Sequence, residues 1–521
     1  MKEKTVESPL KRAGLTFLAF IIIFLVYAFA VQVTEINLDK MRSENKQTQL
    51  IGVLRFLADP DITNPDLLDP LFVADSEPYS LTEITINTLN LIVETIFMAL
   101  LATTIGTILA IPLSFLAARN LMMEVTAPLA SFMLALALLP VGGGLGLLGA
   151  RWMSNLAANF GQQTGLGILV LVVAVAAAWL LLRFGPPLLS EKKRSRGEIT
   201  LAVGQMALVI LLGLFSLAVL ATLGERFGEW LTQVLDAAAV PLGIFTLNLS
   251  FLGNFVVVTS DLISLMLPAI TSLLAAFVAV TFGSSYGQET ILRIEGTPAR
   301  ILTAVLTFLG SFVLIYGIGA ALNWLYQFDN PTNWTIWPAL VLGGLAAVGS
   351  LFLAPKRPFA IGAAIYTISR GIFNILRSIE PLIMAIVFVV WMGLGPFAGV
   401  MALTLHTIAA LGKLFSEQIE GISEGPIEAI TSTGANRLQT VVFGVIPQII
   451  PPYIAYTLYR WDINVRMSTI IGFVGGGGIG FLLSQSIRLL RYRDASVMML
   501  AIAIVVSALD YVSARVRTRI I

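Results

Sequence analysis

The side chains able to do chemistry are few, and their types exclude most reactions. The chain has no cysteine and one histidine, His406. Disulfides, thiolate metal sites and thiol catalysis are excluded, and a histidine-based metal site lacks ligands. No nucleophile, base and orienting group can be assembled from this set. No G-x-x-x-x-G-K-[ST] run occurs, so the chain lacks the usual phosphate loop for ATP. What remains is charge inside an apolar stretch: Tyr459–Arg466, YRWDINVR, with Arg460, Asp462 and Arg466. At mid-bilayer each charge costs about 2.5–3.5 kcal/mol on insertion scales, so all three must face protein or water. Asp462 and Arg466 stand four apart and can pair on one helix face. Arg460 and Asn464 share the opposite face, and Arg460 has no local carboxylate. A guanidinium presents a planar fork of donors that fits the paired oxygens of an anion such as phosphate. Arg460 is therefore either a contact for an anion or a structural arginine at its helix end, bonded to carbonyls or to glutamates of a neighbouring turn.

Gly472–Gly480, GFVGGGGIG, follows directly. Gly475, Gly477 and Gly480 match G-x-G-x-x-G formally, but that motif works only in a strand–turn–helix unit. In an apolar context the run Gly475, Gly476, Gly477, Gly478 and Gly480 reads as a break in a membrane helix. Its free N–H groups can meet an anion, the break can serve as a gate hinge, or small residues can simply let helices pack closely. Upstream, Glu428–Pro447, EAITSTGANRLQTVVFGVIP, is a long polar passage built to stay out of a membrane. A short helix from near Pro426 puts Glu428 in its first turn, where a carboxylate favours the N-terminus. Gly434 with Ala435 and Asn436 stops it, and Pro447 opens the next helix. The product is a helix–turn–helix elbow on one membrane face, a shape that docks into a partner's groove.

The elements that must hold these residues are membrane helices. The 521 residues are 57% hydrophobic and 12% charged, with mean hydropathy +0.88; soluble domains carry roughly 25% charged residues. Net charge +1 gives a nucleic-acid role no support. About twelve spans are expected: 14–31, 86–118, 127–149, 165–184, 199–222, 262–282, 300–322, 337–354, 379–394, 398–418, 448–472 and 495–514. Residues 237–260 are apolar enough to raise the count. Lys2, Lys4, Lys11 and Arg12 precede the first span, which reads as retained rather than cleaved. Residues 32–85, rich in Asp and Pro, read as an irregular extracytoplasmic segment. The positive-inside rule puts both termini inside, with Lys192, Lys193, Arg194, Arg293, Arg300, Lys356, Arg357 and Arg515. Arg488, Arg491 and Arg493 fall outside and break the rule.

The spacing Glu428-Ala429-x, three residues, Gly434, then about a dozen residues to Pro447 resembles the EAA loop of ABC-importer permeases. Ile430 replaces the second Ala, and Gly444 stands where a larger apolar residue is usual. NILRSIEP, GLGPFAG, HTIAALGKLFSEQIE and the Tyr459–Arg493 stretch narrow the resemblance to the phosphonate-importer branch. The resemblance implies an all-α, polytopic, MetI-like permease core: a first core helix in 86–123 and the remainder in 366–521. A 1–85 anchor precedes it, and an inserted helical block of unknown role, 124–365, splits it. It further implies a transport subunit, not an enzyme, for phosphonate, phosphite or phosphate in a bacterial inner membrane, without a cofactor. A homodimer would sit on two ATP-binding subunits and receive substrate from an extracytoplasmic solute-binding protein. Glu428, Ala429, Gly434, Arg437 and Pro447, in the 424–447 loop, would couple to the ATPase. Arg460, Asp462, Asn464, Arg466 and His406 would line the path, the glycines would gate it, and Arg488, Arg491 and Arg493 would meet the binding protein, attract anions or anchor an interfacial helix. For His406 the alternative is a bonded core residue. Rival readings are another ABC cargo (an amino acid or metal chelate), a secondary carrier using Arg460 and Asp462, and a membrane scaffold.

Overall fold

The structure, a computed structural model, describes residues 9–34, 43–64, 80–123, 125–161, 163–184, 196–237, 240–242, 245–247, 249–435 and 437–520. The chain divides into two compact units, Met1–Met122 with Ala363–Ile521, and Met123–Gly362. The first begins with α1 (Pro9–Val33) and α2 (Glu44–Leu57). The helix α2 differs from the irregular segment expected over 32–85. Pro and Asp concentrate after residue 58, leaving ENKQTQLIGVLRFL free to wind with Glu44 in its first turn and Arg55 in its last. The long α3 (Glu83–Leu116) is capped by Thr82, whose Oγ1 accepts the Thr85 N–H at 3.3 Å. The short α4 (Arg119–Met122) follows.

The second unit contains α5 (Leu129–Gly161), α6 (Thr164–Phe184), α7 (Arg196–Ala237), α8 (Ser250–Arg293), α9 (Thr297–Tyr326), α10 (Pro331–Trp334) and α11 (Ile336–Leu351). Among the described residues, 237–260 form no span of their own. Val240–Leu242 pairs antiparallel with Phe245–Leu247, and α8 starts at Ser250. At 44 residues α8 is about 66 Å long, twice the roughly 30 Å hydrocarbon core. Its core is Met153, Ala157, Leu214, Val219, Leu223 and Leu267. Ser131 Oγ donates to the Ser284 carbonyl at 2.6 Å, and Ser272 Oγ to the Gly143 carbonyl at 3.1 Å, stitching α5 to α8.

The first unit resumes with α12 (Ile361–Ser378), α13 (Pro381–Met392), α14 (Pro396–Glu420), α15 (Glu424–Ser432) and α16 (Arg437–Thr440). A π-helical turn (Val441–Val445) leads into α17 (Ile446–Gly472), followed by α18 (Ile479–Arg488) and α19 (Tyr492–Ile520). The expected span 379–394 is only the twelve-residue α13, bent 88° from the amphipathic α12. Pro381 forces that bend, since a residue before proline avoids helical angles. Among the described residues eleven helices are long and apolar enough to cross a bilayer, or twelve if the bent pair counts as one. The fold is all-α and polytopic. Two clusters form the centre of this unit: Met98, Ala102, Met384, Leu403 and Ile471, and then Ala110, Leu411, Phe415, Ile419 and Tyr453. Tyr453 stacks on Phe415 at 3.8 Å, which clamps α17 to α14.

Candidate functional site

The elbow is α15, a glycine turn, α16 and the π-helical turn. Glu424, not Glu428, occupies the first turn of α15, because the helix starts two residues before Pro426. Glu428 and Ala429 lie exposed in its second half. Gly434 has φ 82° and its N–H donates to the Thr431 carbonyl at 3.0 Å, so the left-handed residue ends the helix. Asn436 and the side chain of Arg437 lie outside the described residues. An open recess beside the turn is lined by Ile430, Thr433, Gly434, Ala435, Gln439 and Phe443, and Phe443 is 67% exposed. The two departures from the EAA pattern meet each other. A Cβ on Gly444 would stand 3.4 Å from Ile430 Cδ1. The larger side chain at 430 thus fills space that the glycine leaves.

A residue not singled out in the sequence joins the elbow to α17. Gln448 Oε1 accepts the Ser423 N–H at 3.0 Å, and its Nε2 donates to the Gly444 carbonyl at 2.7 Å. Pro447 precedes it at the start of α17. Behind the elbow, Arg370 of α12 reaches α14, with Nη1 on Glu420 Oε1 at 2.6 Å and Nη2 on Glu417 Oε1 at 3.2 Å. Glu420 also accepts the Arg119 N–H at 2.8 Å. These contacts fix the start of α4 and the amphipathic helix to the end of α14.

Farther along α17 the charged residues separate by face. Arg466 Nη2 donates to Asp462 Oδ2 at 2.9 Å and to Asp510 Oδ1 of α19 at 2.5 Å. Asp510 was not read from the sequence; the signal was an acid within an apolar helix. The opposite face is buried. Arg460 is 8% exposed and Asn464 is 0% exposed. Asn464 Nδ2 donates to Thr103 Oγ1 of α3 at 2.8 Å and to Thr407 Oγ1 of α14 at 2.9 Å. Arg460 Nε donates to the same Thr407 hydroxyl at 3.4 Å. Arg460 therefore sits mid-helix on a hydroxyl, not at a helix end on carbonyls or glutamates. Its Nη2 and Asn464 Oδ1 are buried and have no hydrogen-bond partner among the described residues. Gly106 permits this meeting, since a Cβ there would stand 2.6 Å from Thr407 Cγ2. His406, on α14 beside Thr407, is half-buried near the α12–α13 bend, and its Nδ1 is buried with no hydrogen-bond partner among the described residues.

Between α17 and α18 the helix is interrupted. Gly475, Gly477 and Gly478 have φ of 93°, 79° and 71°, angles that side chains with a Cβ rarely adopt. Gly480 lets α18 pack back on α17, as a Cβ there would lie 1.8 Å from the Thr469 carbonyl. Gly476 belongs to the same turn and packs on Gly399. The N–H groups expected to be open to an anion are partly occupied. Gly478 N–H donates to Glu94 Oε1 at 2.8 Å and Ile479 N–H to Thr95 Oγ1 at 2.9 Å, both from α3. A carboxylate on a helix N-terminus is favourable, and Glu94 was visible as an acid inside an apolar helix. Arg488, Arg491 and Arg493 do not share partners. Arg493 Nε binds the Asp59 carbonyl at 3.1 Å and Asp59 Oδ2 at 3.3 Å, tying α19 to the end of α2. Arg491 lies 4.0 Å from Asp494. Arg488 ends α18 and is exposed.

Comparison with known proteins follows this geometry. Residues 339–520 match the family described as binding-protein-dependent transport system inner membrane component. A putative cryptic phosphonate transport system permease protein of Escherichia coli is 45% identical over 121 residues, 23% of this chain and 99% of its own length. A putative phosphite transport system permease protein of Stutzerimonas stutzeri is 45% identical over 156 residues, 30% of this chain and 60% of that protein. A phosphate-import permease protein of Mycolicibacterium smegmatis is 28% identical over 478 residues, 83% of this chain and 85% of its own. That last alignment is too long to avoid the Met123–Gly362 unit, so a block between the core segments is not peculiar to this chain. The chain spans less than two thirds of the phosphite permeases it matches. With the near-complete coverage of the phosphonate relative, the chain belongs to the phosphonate-type permeases of the binding-protein-dependent inner membrane components.

Proposed function

We propose that the chain is the membrane subunit of an ATP-driven importer for phosphonate or a related phosphorus oxyanion, phosphite or phosphate. The observation that carries this reading is the exposed elbow of 424–445, clipped by Gln448 to the helix that bears the buried polar row. The substrate class is supported by the names of its relatives, a phosphite, a phosphonate and a phosphate-import permease. ATP hydrolysis belongs to a separate pair of subunits that receive Glu428, Ala429 and the Gly434 turn. A second copy of the chain completes the membrane part, and a solute-binding protein delivers the anion from the outer side. Both termini lie in the cytoplasm of an inner-membrane protein. Closure of the ATPases pushes the elbow, α17 follows through Gln448 and Pro447, and the Gly475–Gly480 break opens or closes the outer side. Arg488 and Arg491 are the exposed outer cations that remain for the binding protein. A secondary carrier coupled through Arg460 and Asp462 has no support, because Asp462 pairs with Arg466 instead.

The test is Glu428→Arg in a strain carrying the whole transporter. The exposed position leaves folding intact, so the variant should reach the membrane in normal amount. It should lose phosphite or phosphonate uptake and no longer co-purify with the ATPase. Uptake at the wild-type rate would refute the coupling role.

A further inference from the structure

Burying a polar group without a partner costs free energy, and more than 90% of such groups in folded proteins are satisfied. Arg460 is an exception inside the first unit. Its guanidinium is nine-tenths buried, Nε rests on Thr407, and Nη2 has no partner among the described residues. The carboxylate near it in sequence, Asp462, serves another cation: it holds Arg466 together with Asp510 of α19. One turn along α14, Thr404 is also buried with an unpartnered hydroxyl. Thr407, itself held by Asn464, takes the arginine's Nε and leaves Nη2 unused.

We propose that Arg460 is an intramembrane anion site, whose unpartnered Nη2 takes an oxygen of a small phosphorus oxyanion in transit, the guanidinium being oriented by Thr407, which Asn464 holds in turn. Guanidinium and oxyanion match as a planar fork to paired oxygens. A lipid phosphodiester is excluded by burial among α3, α14 and α17. One donor edge without a cage binds weakly and lets the anion go. The proposal rests on the transport reading for the identity of the anion, but the site can be tested apart from transport.

Two measurements decide it. Thermal unfolding of the purified chain is followed with inorganic phosphite against chloride at equal ionic strength. Phosphite uptake is followed in the complete transporter. Wild type should gain Tm with phosphite. Arg460→Met should start at the same or a higher Tm, because a buried unpaired charge has been removed. It should show no phosphite-dependent gain and should lose uptake about tenfold to hundredfold, the worth of a charge-assisted hydrogen bond. If Arg460→Met does not fold, Arg460→Lys carries the same two readings, since it keeps the charge and loses the fork. A lower starting Tm for a folded Arg460→Met makes the arginine structural and overturns the site. So does a wild-type Tm indifferent to phosphite, which leaves water as the only occupant, or an unchanged phosphite response in the folded variant. A phosphite response lost in the variant, in a chain whose transporter takes up none, supports the site and sinks the transport reading. Uptake equal in wild type and variant sinks the site alone.

Discussion

Replacing Glu94 should loosen the break between α17 and α18. The helix α18 has ten residues, so it is too short to persist by its own hydrogen bonds. Its N-terminal amides are held by α3: Gly478 N–H by Glu94 at 2.8 Å and Ile479 N–H by Thr95 at 2.9 Å. A hydrogen bond to a charged group contributes about 1.5–3 kcal/mol. Glu94 is half-buried, so the lower part of that range applies once solvent screening is allowed for, about 1.5–2 kcal/mol. Glu94→Ala should therefore speed exchange at the Gly478 amide about 10- to 30-fold, at 1.4 kcal/mol per decade. Glu94→Gln keeps an acceptor and loses only the charge, and should give the smaller effect. Thr95→Val removes the neighbouring acceptor and should cost about 1 kcal/mol. The two losses should not add, because they open the same turn. Hydrogen-exchange mass spectrometry on peptides spanning 472–488 reads all three. Unchanged exchange there in Glu94→Ala would show that the carboxylate does not hold the break.

Two further perturbations separate neighbouring readings. Gly444→Leu should crowd Ile430 and destabilise the elbow by about 1–3 kcal/mol. Adding Ile430→Ala should recover most of that loss in thermal unfolding, and damage in the double variant equal to the sum of the singles would refute the paired packing. Arg493→Ala should expose the 58–64 turn to limited proteolysis at a cost of about 0.2–1 kcal/mol, whereas Arg488→Ala should leave cleavage unchanged; equal cleavage in both would deny Arg493 its internal role.

The elbow was legible because its signals are local. A glycine at φ 82° and a proline at the start of α17 follow from backbone chemistry. The Asp462–Arg466 pair was legible for the same reason, four residues on one helix. Partners that arrive from elsewhere in the chain were not. Thr103 and Thr407 look like ordinary hydroxyls of apolar helices, each able to bond its own backbone, as Thr103 does to Ala99 at 2.7 Å. Only packing through Gly106 turns them toward Asn464. Glu94 carried a usable sign, an acid amid apolar residues, but its target lies 384 residues away. The bend at Pro381 and the long α8 escaped because hydropathy marks apolar length and is blind to direction and to helix that extends past the bilayer.

Where the helices can bend follows from the same contacts. The π-helical turn at Val441–Val445 and the prolines Pro451 and Pro452 weaken the ladder on either side of Pro447. Directly after them α17 is clamped: Tyr453 stacks on Phe415, Tyr453 Oη donates to the Phe415 carbonyl at 3.3 Å, and farther along Asn464 and Arg460 hold Thr407. The next release comes at Gly472, beyond which the glycines and the Glu94 cap replace continuous helix. The span between Tyr453 and Gly472 is therefore tied to α14 through Phe415 and Thr407 and to α3 through Thr103. On the proposed coupling role, a push on the elbow would be partly absorbed at the prolines, and the rest would reach the capped break. Any movement of α17 against α3 then strains the Asn464–Thr103 bond near Arg460 as well as the hydrogen bonds of Glu94 and Thr95.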